Sequence, residues 1–219
     1  MSAAALVAEI EARRAFAVIR TDTAEQAVEA GRACLKGGVS LLEVTLTIPG
    51  ALTAIRRLAE EAGAIVGVGS VTEPAQVRSA AAAGARFAVS PHFDADILAE
   101  TKSHGLLSSM GGVTPTEAMT CHRAGVDVIK IFPASSFGGP AYLKALREPL
   151  PFLRLMPTGG VDESNLRAYL DAGAAGFGLG GSLVDRKTAT AGDWPVVVER
   201  ARRVTAAVSA WRAERAEGR

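Results

Sequence analysis

Residues 126–133 read VDVIKIFP and predict a short, buried β-strand, because β-branched residues dominate the stretch and Pro133 ends it. Side chains alternate between the two faces of a strand, so Lys130 shares its face with Val128 and Phe132. A lysine among apolar side chains is costly unless it is paired or neutral. Two interpretations follow: a buried salt bridge, or an amine nucleophile in surroundings that favour its uncharged form.

The composition indicates one domain over residues 1–219, with 48% hydrophobic residues and enough chain to bury a core. The 24 basic and 23 acidic residues nearly cancel, so no strong field is expected for nucleic acid or an anionic membrane. The sequence shows neither an apolar run of membrane-spanning length nor a signal-peptide pattern. Cys34 and Cys121 are isolated from each other, which predicts reduced thiols and a cytoplasmic protein.

Helical and strand patterns alternate along the chain. After an amphipathic helix over residues 3–14, eight strands are predicted, each followed by a helix, at 16–20, 41–46, 64–70, 87–90, 106–110, 126–133, 153–157 and 175–179. The last helix is predicted to begin near Asp193 and to end in a frayed, charged tail over residues 212–219. These units predict an α/β fold, a parallel (β/α)8 TIM barrel with an extra N-terminal helix. An open doubly wound sheet would need a Gly-x-Gly-x-x-Gly fingerprint where Arg20 and Asp22 stand.

Glu43 lies in the second predicted strand, on the same face as Leu41 and Thr45. Strands two and six lie opposite each other in an eight-stranded ring, whose interior is only wide enough to be filled by side chains. Glu43 and Lys130 are therefore expected to meet inside the barrel. An acid/base and nucleophile pair is favoured over a structural ion pair, because desolvation makes a buried pair a poor source of stability.

Two glycine-rich segments end the last two strands: PTGGV at 157–161 and GLGGS at 178–182. Barrels commonly build phosphate sites from these two loops, where backbone N–H groups face the anion and glycine allows its close approach. The segment GVGS at 67–70 predicts either a carboxylate site or a plain turn. The three histidines show no ligand spacing, so we expect no metal.

Seven motifs occur in order: EVTL at 43–46, GVGSV at 67–71, VSPH at 89–92, TPTE at 114–117, IKIFP at 129–133, PTGGV at 157–161 and GGS at 180–182. Together they resemble the family of 2-keto-3-deoxy-6-phosphogluconate (KDPG) aldolases over residues 16–184. The resemblance implies a trimeric barrel that splits this phosphorylated keto acid into pyruvate and glyceraldehyde 3-phosphate, with no cofactor. It makes 4-hydroxy-2-oxoglutarate a second candidate substrate.

The resemblance also implies a role for particular side chains. Lys130 would form the Schiff base, and Glu43 would move protons as the general acid and base. The substrate contacts would come from Ser70 at the pyruvyl carboxylate, Pro91 and Phe132 as walls, Thr158 at a hydroxyl, and Gly159, Gly160, Gly181 and Ser182 at the phosphate.

Three positions depart from the family pattern. Ser70 is often threonine, Met110 replaces a proline, and Thr47, still a substrate-binding candidate, stands where some members carry a carboxylate-binding arginine. Because arginine offers carboxylates a fixed fork of donors, we expect Arg20 to grip the keto-acid carboxylate instead, with help from Ser70. The alternative for Arg20 is a solvated charge paired with Asp22.

Several functions stay open from the sequence. Aldolases for the galactonate epimer tend to carry valine where Thr158 stands, so Thr158 predicts a preference for the gluconate epimer. A phosphate-binding barrel of another class, such as an isomerase or a thiamin-phosphate-type transferase, would leave Lys130 and Glu43 structural. A non-catalytic module that binds a phosphorylated ligand is the third hypothesis.

Overall fold

The structure, a computed structural model, describes residues 3–217. Eight strands run through this range: β1 Ala15–Ile19, β2 Leu41–Thr45, β3 Ile65–Gly69, β4 Phe87–Ser90, β5 Leu107–Gly111, β6 Val128–Ile131, β7 Leu155–Pro157 and β8 Phe177–Leu179. The α-helices are α1 Ala3–Arg13, α2 Ala24–Lys36, α3 Ala51–Ala59, α4 Pro74–Ala82, α5 Ala95–Ser103, α6 Pro115–Ala124, α7 Gly139–Arg147, α8 Leu166–Asp171, α9 Arg186–Ala191 and α10 Trp194–Glu217.

The strands form one parallel sheet in the order β7-β6-β5-β4-β3-β2-β1-β8. Its two ends meet, because Thr158 pairs with Gly178 in a parallel bridge and the Ala175 amide donates to the Leu155 carbonyl at 2.9 Å. The predicted (β/α)8 barrel with an extra N-terminal helix is therefore confirmed. Among residues 3–217, no helix is both long and apolar enough to cross a membrane.

The apolar core has two layers, as a barrel requires. The inner cluster fills the barrel and includes Phe16 and Phe87, whose rings pack edge to face with centroids 5.5 Å apart. Leu6 and Ile10 of α1 belong to this inner cluster, so the N-terminal helix packs against the barrel interior. The outer cluster lies between strands and helices and holds most of the buried aliphatic side chains.

The alternation predicted for β2 and β6 is confirmed. Leu41 and Val128 lie in the inner cluster, whereas Leu42 and Ile129 lie in the outer one. Lys130 is two residues beyond Val128 and Glu43 is two beyond Leu41, so both charged side chains point into the barrel.

Local signals set the lengths of several connections. The Thr114 hydroxyl accepts from the Glu117 amide, and the Glu117 carboxylate accepts from the Thr114 amide, so a capping box begins α6. Gly125 then ends the helix with a φ of 82°, a left-handed conformation that glycine adopts without a Cβ clash, and the chain enters β6. This stop places Lys130 at a fixed height in the barrel.

The C-terminal part differs from the prediction. Helix α9 was missed, and the predicted frayed tail is helical through Glu217, while residues 218–219 lie outside the described range. Contacts along the tail explain the order: the Glu214 carboxylate pairs with Arg167 at 2.6 Å, and the Arg215 guanidinium lies 5.1 Å from the Trp211 ring centroid. Strand β6 is also shorter than predicted, and residues 134–137, which follow it, form a 3-10 helix.

Candidate active site

Lys130 and Glu43 meet inside the barrel, as the alternation predicted. The Lys130 Nζ lies 3.6 Å from Oε1 of Glu43, and the two side chains are 7% and 0% exposed. Both carboxylate oxygens of Glu43 are buried and have no hydrogen-bond partner among the described residues. A buried carboxylate normally fills its hydrogen-bonding capacity, so this one keeps acceptor positions that a reacting molecule can use.

Gly69 of β3 makes room for this carboxylate. A Cβ at Gly69 would collide with the Oε1, Cδ and Cγ atoms of Glu43, which lies in the neighbouring strand. The glycine therefore fixes where the acid sits, because any larger residue would displace it toward Lys130 or out of the interior. The sequence-based alternatives for residues 67–70, a carboxylate site or a turn, did not include this role.

A cavity of about 380 Å³, which we call the mouth cavity, lies at the C-terminal ends of β1, β7 and β8. Most of the predicted binding residues line it: Arg20, Phe132, Thr158, Gly159, Gly160, Gly181 and Ser182. The Phe132 ring connects this cavity to the lysine, because the Lys130 Nζ lies 5.3 Å from the ring centroid. The two glycine loops therefore come together, beside the buried amine.

Thr158 is buried, and its hydroxyl has no hydrogen-bond partner among the described residues. It packs against Gly178 of β8, where a Cβ would lie 2.5 Å from the Thr158 Oγ1. Since Thr158 also lines the mouth cavity, its unsatisfied hydroxyl is placed to meet a polar group of a bound molecule.

Arg20 lines this cavity and is also exposed. Asp22, which the alternative interpretation made the partner of Arg20, pairs with Arg186 at 3.1 Å. Asp185 also lines the cavity, but hydrogen bonds from Thr188 and Arg200 hold the pKa of its carboxyl well below the usual range. Its negative charge is thus engaged with Thr188 of α9 and Arg200 of α10.

Three of the predicted substrate-binding residues do not line the mouth cavity. Pro91 lines another cavity, of about 310 Å³, at the ends of β4 and β5. Thr47 is exposed and its hydroxyl lies 2.8 Å from that of Thr45. Ser70 is partly exposed and has a φ of 61°, a left-handed conformation that costs energy in a residue with a Cβ.

Ser109 is an interior residue that the sequence analysis did not select. It is 2% exposed, alternates with the inner-cluster residue Leu107, and its hydroxyl has no partner among the described residues. The adjacent Ser108 differs, because its hydroxyl donates to Asp127 at 2.7 Å. Two serines within one apolar strand were the signal that the sequence offered for a functional residue. The serine that points into the barrel can be identified only from the orientation of the strand.

Possible metal ligands and the two thiols are the alternatives to the lysine as reactive groups. Residues 3–217 contain no group of three or more His, Cys, Asp or Glu side chains that could hold a metal ion. Burial raises the pKa of the Cys34 thiol to about 12 and that of Cys121 to about 11, so neither forms a thiolate nucleophile at neutral pH. The buried Lys130 amine, in contrast, lies beside the mouth cavity.

The fold and this geometry define a class: (β/α)8-barrel enzymes with an interior lysine and two glycine loops at the C-terminal ends of the strands. Comparison with known proteins narrows the class. The family model described as KDPG and KHG aldolase matches residues 7–200. The chain belongs to this aldolase family.

Individual relatives agree with that assignment. The KHG/KDPG aldolase of Escherichia coli (strain K12) is 38% identical over 188 residues, which cover 84% of this chain and 87% of the relative. The 2-dehydro-3-deoxy-6-phosphogalactonate aldolase of the same organism is 34% identical over 171 residues, covering 77% and 83%. A crystal structure of the KDPG aldolase from Legionella pneumophila, with pyruvate captured as a covalent carbinolamine intermediate, has a TM-score of 0.82 at 30% identity, covering 90% and 97%.

Proposed function

We propose that the protein is a Schiff-base aldolase that cleaves KDPG to pyruvate and glyceraldehyde 3-phosphate, and that it also accepts 4-hydroxy-2-oxoglutarate. The observation that carries this proposal is the Lys130 amine, buried 3.6 Å from a carboxylate whose oxygens have no hydrogen-bond partner, beside a cavity lined by two glycine loops. Family membership and the KDPG aldolases among the relatives support the same reaction.

The chemistry follows from the pair. Lys130 passes a proton to Glu43, and the uncharged amine then adds to the C2 carbonyl. Glu43 donates this proton to the carbinolamine oxygen, which leaves as water. Glu43 is then a carboxylate that accepts the proton of the C4 hydroxyl as the C3–C4 bond breaks. The electrons of that bond flow into the iminium and form an enamine, and the aldehyde is released. Glu43 returns its proton to C3 of the enamine, and water hydrolyses the resulting iminium, which frees pyruvate and the lysine.

Binding at both ends would hold the reacting carbons in place. In the proposal, Gly159, Gly160, Gly181 and Ser182 receive the phosphate, and Thr158 contacts the C4 hydroxyl. Ser70 and Thr47, at the ends of β3 and β2, serve the pyruvyl carboxylate, with Pro91 and Phe132 beside the substrate. Phosphate contacts far from the broken bond stabilise the transition state by positioning the substrate.

A coupled assay tests the proposed substrate. Pyruvate release, followed by its reduction with lactate dehydrogenase and NADH, is expected with KDPG and to be much slower with the dephosphorylated keto acid, because the latter leaves the glycine loops empty. Equal rates for both substrates would contradict a phosphate role for the mouth cavity. No pyruvate from either would contradict the proposed reaction.

Thr158 is expected to set the preference between epimers. We expect Thr158→Val to reduce the preference for KDPG over the galactonate epimer by about tenfold, as loss of one hydrogen bond does. The variant should fold at least as stably as the parent, because valine removes a buried hydroxyl that has no partner. The kcat/KM ratio for the two epimers measures the effect. Equal rates on both epimers in the parent would refute the argument.

Arg20 lines the same cavity as the two glycine loops, and Ser70 does not. The position of Arg20 therefore favours a contact with the phosphate over the predicted contact with the carboxylate. We expect Arg20→Ala to raise KM for KDPG about 10- to 100-fold, since a charged hydrogen bond contributes about 1.5–3 kcal/mol. Arg20→Lys should recover part of the loss. If Arg20 instead binds the carboxylate, Arg20→Ala will weaken inhibition by pyruvate as much as it weakens binding of KDPG. If Arg20 binds the phosphate, inhibition by pyruvate will stay unchanged.

The assembly and the cellular location remain proposals. We propose a homotrimer, supported by the family resemblance. Light scattering should give a mass three times the 22.6 kDa of one chain. We also propose a cytoplasmic location, which two buried, unpaired cysteines support.

A further inference from the structure

A cavity of about 690 Å³ lies at the opposite end of the barrel from the mouth, where the strands begin and helices α7, α8 and α10 end. Arginines from four separate segments line it: Arg14, Arg147, Arg154, Arg212 and Arg215. Only two carboxylates line it with them, those of Glu11 and Asp171, so the wall carries three positive charges in excess. None of these residues has a role in the proposed reaction.

Two of the arginines keep unused donors inside the protein. Arg14 donates through Nη1 to the Ala174 carbonyl at 2.7 Å, and Arg147 donates through Nη2 to the Pro151 carbonyl at 2.9 Å. The Nε atom of each arginine is buried and has no hydrogen-bond partner among the described residues. Buried donors without partners are rare in folded proteins, and a bound group commonly explains them.

The charges of the wall repel one another. Burial lowers the pKa of Arg14, and Arg212, Arg215 and Arg147 lower it further against the attraction of Glu11. Asp171 offers little compensation, because its carboxylate already accepts from the Trp211 indole at 2.8 Å and from Arg167 outside the cavity at 3.1 Å. An anion bound here would relieve the repulsion.

Helix ends explain only part of the cluster. Carbonyl groups at helix C-termini attract cations, which accounts for Arg147 near the Ala172 carbonyl. It does not account for Arg215, whose guanidinium lies against the Trp211 ring and pairs with no carboxylate within residues 3–217. Stacking uses the face of a guanidinium and leaves its in-plane donors available to an anion.

We propose that this cavity is a second anion site, which binds a small molecule with a diphosphate group. Arginine pairs with phosphate oxygens through two parallel hydrogen bonds, and several arginines around one space suit two linked phosphates better than a single monovalent anion. Phe152 lines the same cavity and is 52% exposed, which offers an apolar surface beside the charged donors. Inorganic diphosphate and the diphosphate of a nucleotide share this chemistry.

The mouth cavity also attracts phosphate, so the test first removes that site. Gly181→Asp does so, because a Cβ at Gly181 meets open space and the new carboxylate repels phosphate from the loop. In this variant, calorimetric titration with inorganic diphosphate should show one site. The further changes Arg154→Gln and Arg215→Gln should weaken binding at least tenfold, since both side chains are exposed and each loses a charged contact.

Arg78→Gln is the matched control, an exposed arginine paired with Glu100 outside the cavity, and it should leave the diphosphate affinity unchanged. No binding in Gly181→Asp, or equal affinity in the cavity variant, would overturn the proposal. Equal weakening by Arg78→Gln would indicate diffuse charge attraction and would also overturn it. A parallel titration with ADP identifies the source: tighter binding than diphosphate assigns a nucleotide, and weaker binding assigns the inorganic anion or another small diphosphate.

Discussion

Lys130→Met is expected to abolish KDPG cleavage, to below detection in the coupled assay, because methionine keeps an apolar stem but cannot form a Schiff base. Methionine leaves the buried Glu43 carboxylate without its cation, 3.6 Å away in the parent. Removing one partner of a buried pair destabilises a protein by about 3–5 kcal/mol, so a lower melting temperature is expected as well.

A double variant separates the loss of chemistry from the loss of stability. Lys130→Met combined with Glu43→Gln removes both charges, so it should recover part of the melting temperature and none of the activity. Cleavage by either folded variant at more than a trace of the parental rate would show that Lys130 is not the nucleophile.

Glu43→Gln is expected to slow KDPG turnover about a hundredfold or more, the usual effect of losing a general acid/base. Glutamine keeps the shape of the side chain in the space that Gly69 leaves, but it cannot exchange a proton. Pyruvate should still bind, so the defect should appear in kcat. Steady-state kinetics measure it.

The control for this variant is Glu61→Gln, which changes a carboxylate that pairs with Arg32 at the surface, far from the barrel interior. It should turn over at the parental rate. Normal turnover by Glu43→Gln would mean that another group moves the protons, and Ser109, with its unpartnered interior hydroxyl, would then be the first candidate to replace.

The sequence was sufficient for the barrel and its central pair, because both depend on short-range periodicity. Alternation along β2 and β6 predicted that Glu43 and Lys130 face inward, and the count of strands predicted that they lie opposite each other. Helix α9 and the helical tail were missed because tertiary contacts hold them: Arg215 against Trp211, and Glu214 with Arg167.

Features that depend on the register between strands could not be predicted from the sequence. Gly69 accommodates Glu43, and Gly178 accommodates Thr158, only because β3 and β8 lie beside the strands or strand ends that carry them. The cavity lined by five arginines could not be predicted either, since its residues come from segments far apart in the chain. The separation between Pro91 and Phe132, which line different cavities, was not specified by the two motifs that contain them.

The alternative functions do not explain why Lys130 and Glu43 lie together in the barrel interior. An isomerase, a transferase or a binding module would use the glycine loops but would keep Lys130 and Glu43 as a structural ion pair. Such a pair is a weak source of stability, and Glu43 has no hydrogen bond to offset its desolvation. The aldolase proposal accounts for the pair and for the unpartnered oxygens together.

Reduction with borohydride in the presence of pyruvate tests the central claim most directly, because it converts an iminium into a stable amine that mass spectrometry can locate. The account predicts a single reduced pyruvate adduct, on the peptide that contains Lys130, in the parent protein and in Arg20→Ala. The absence of an adduct in folded protein, or an adduct on another lysine, would contradict the assignment of Lys130 as the Schiff-base residue.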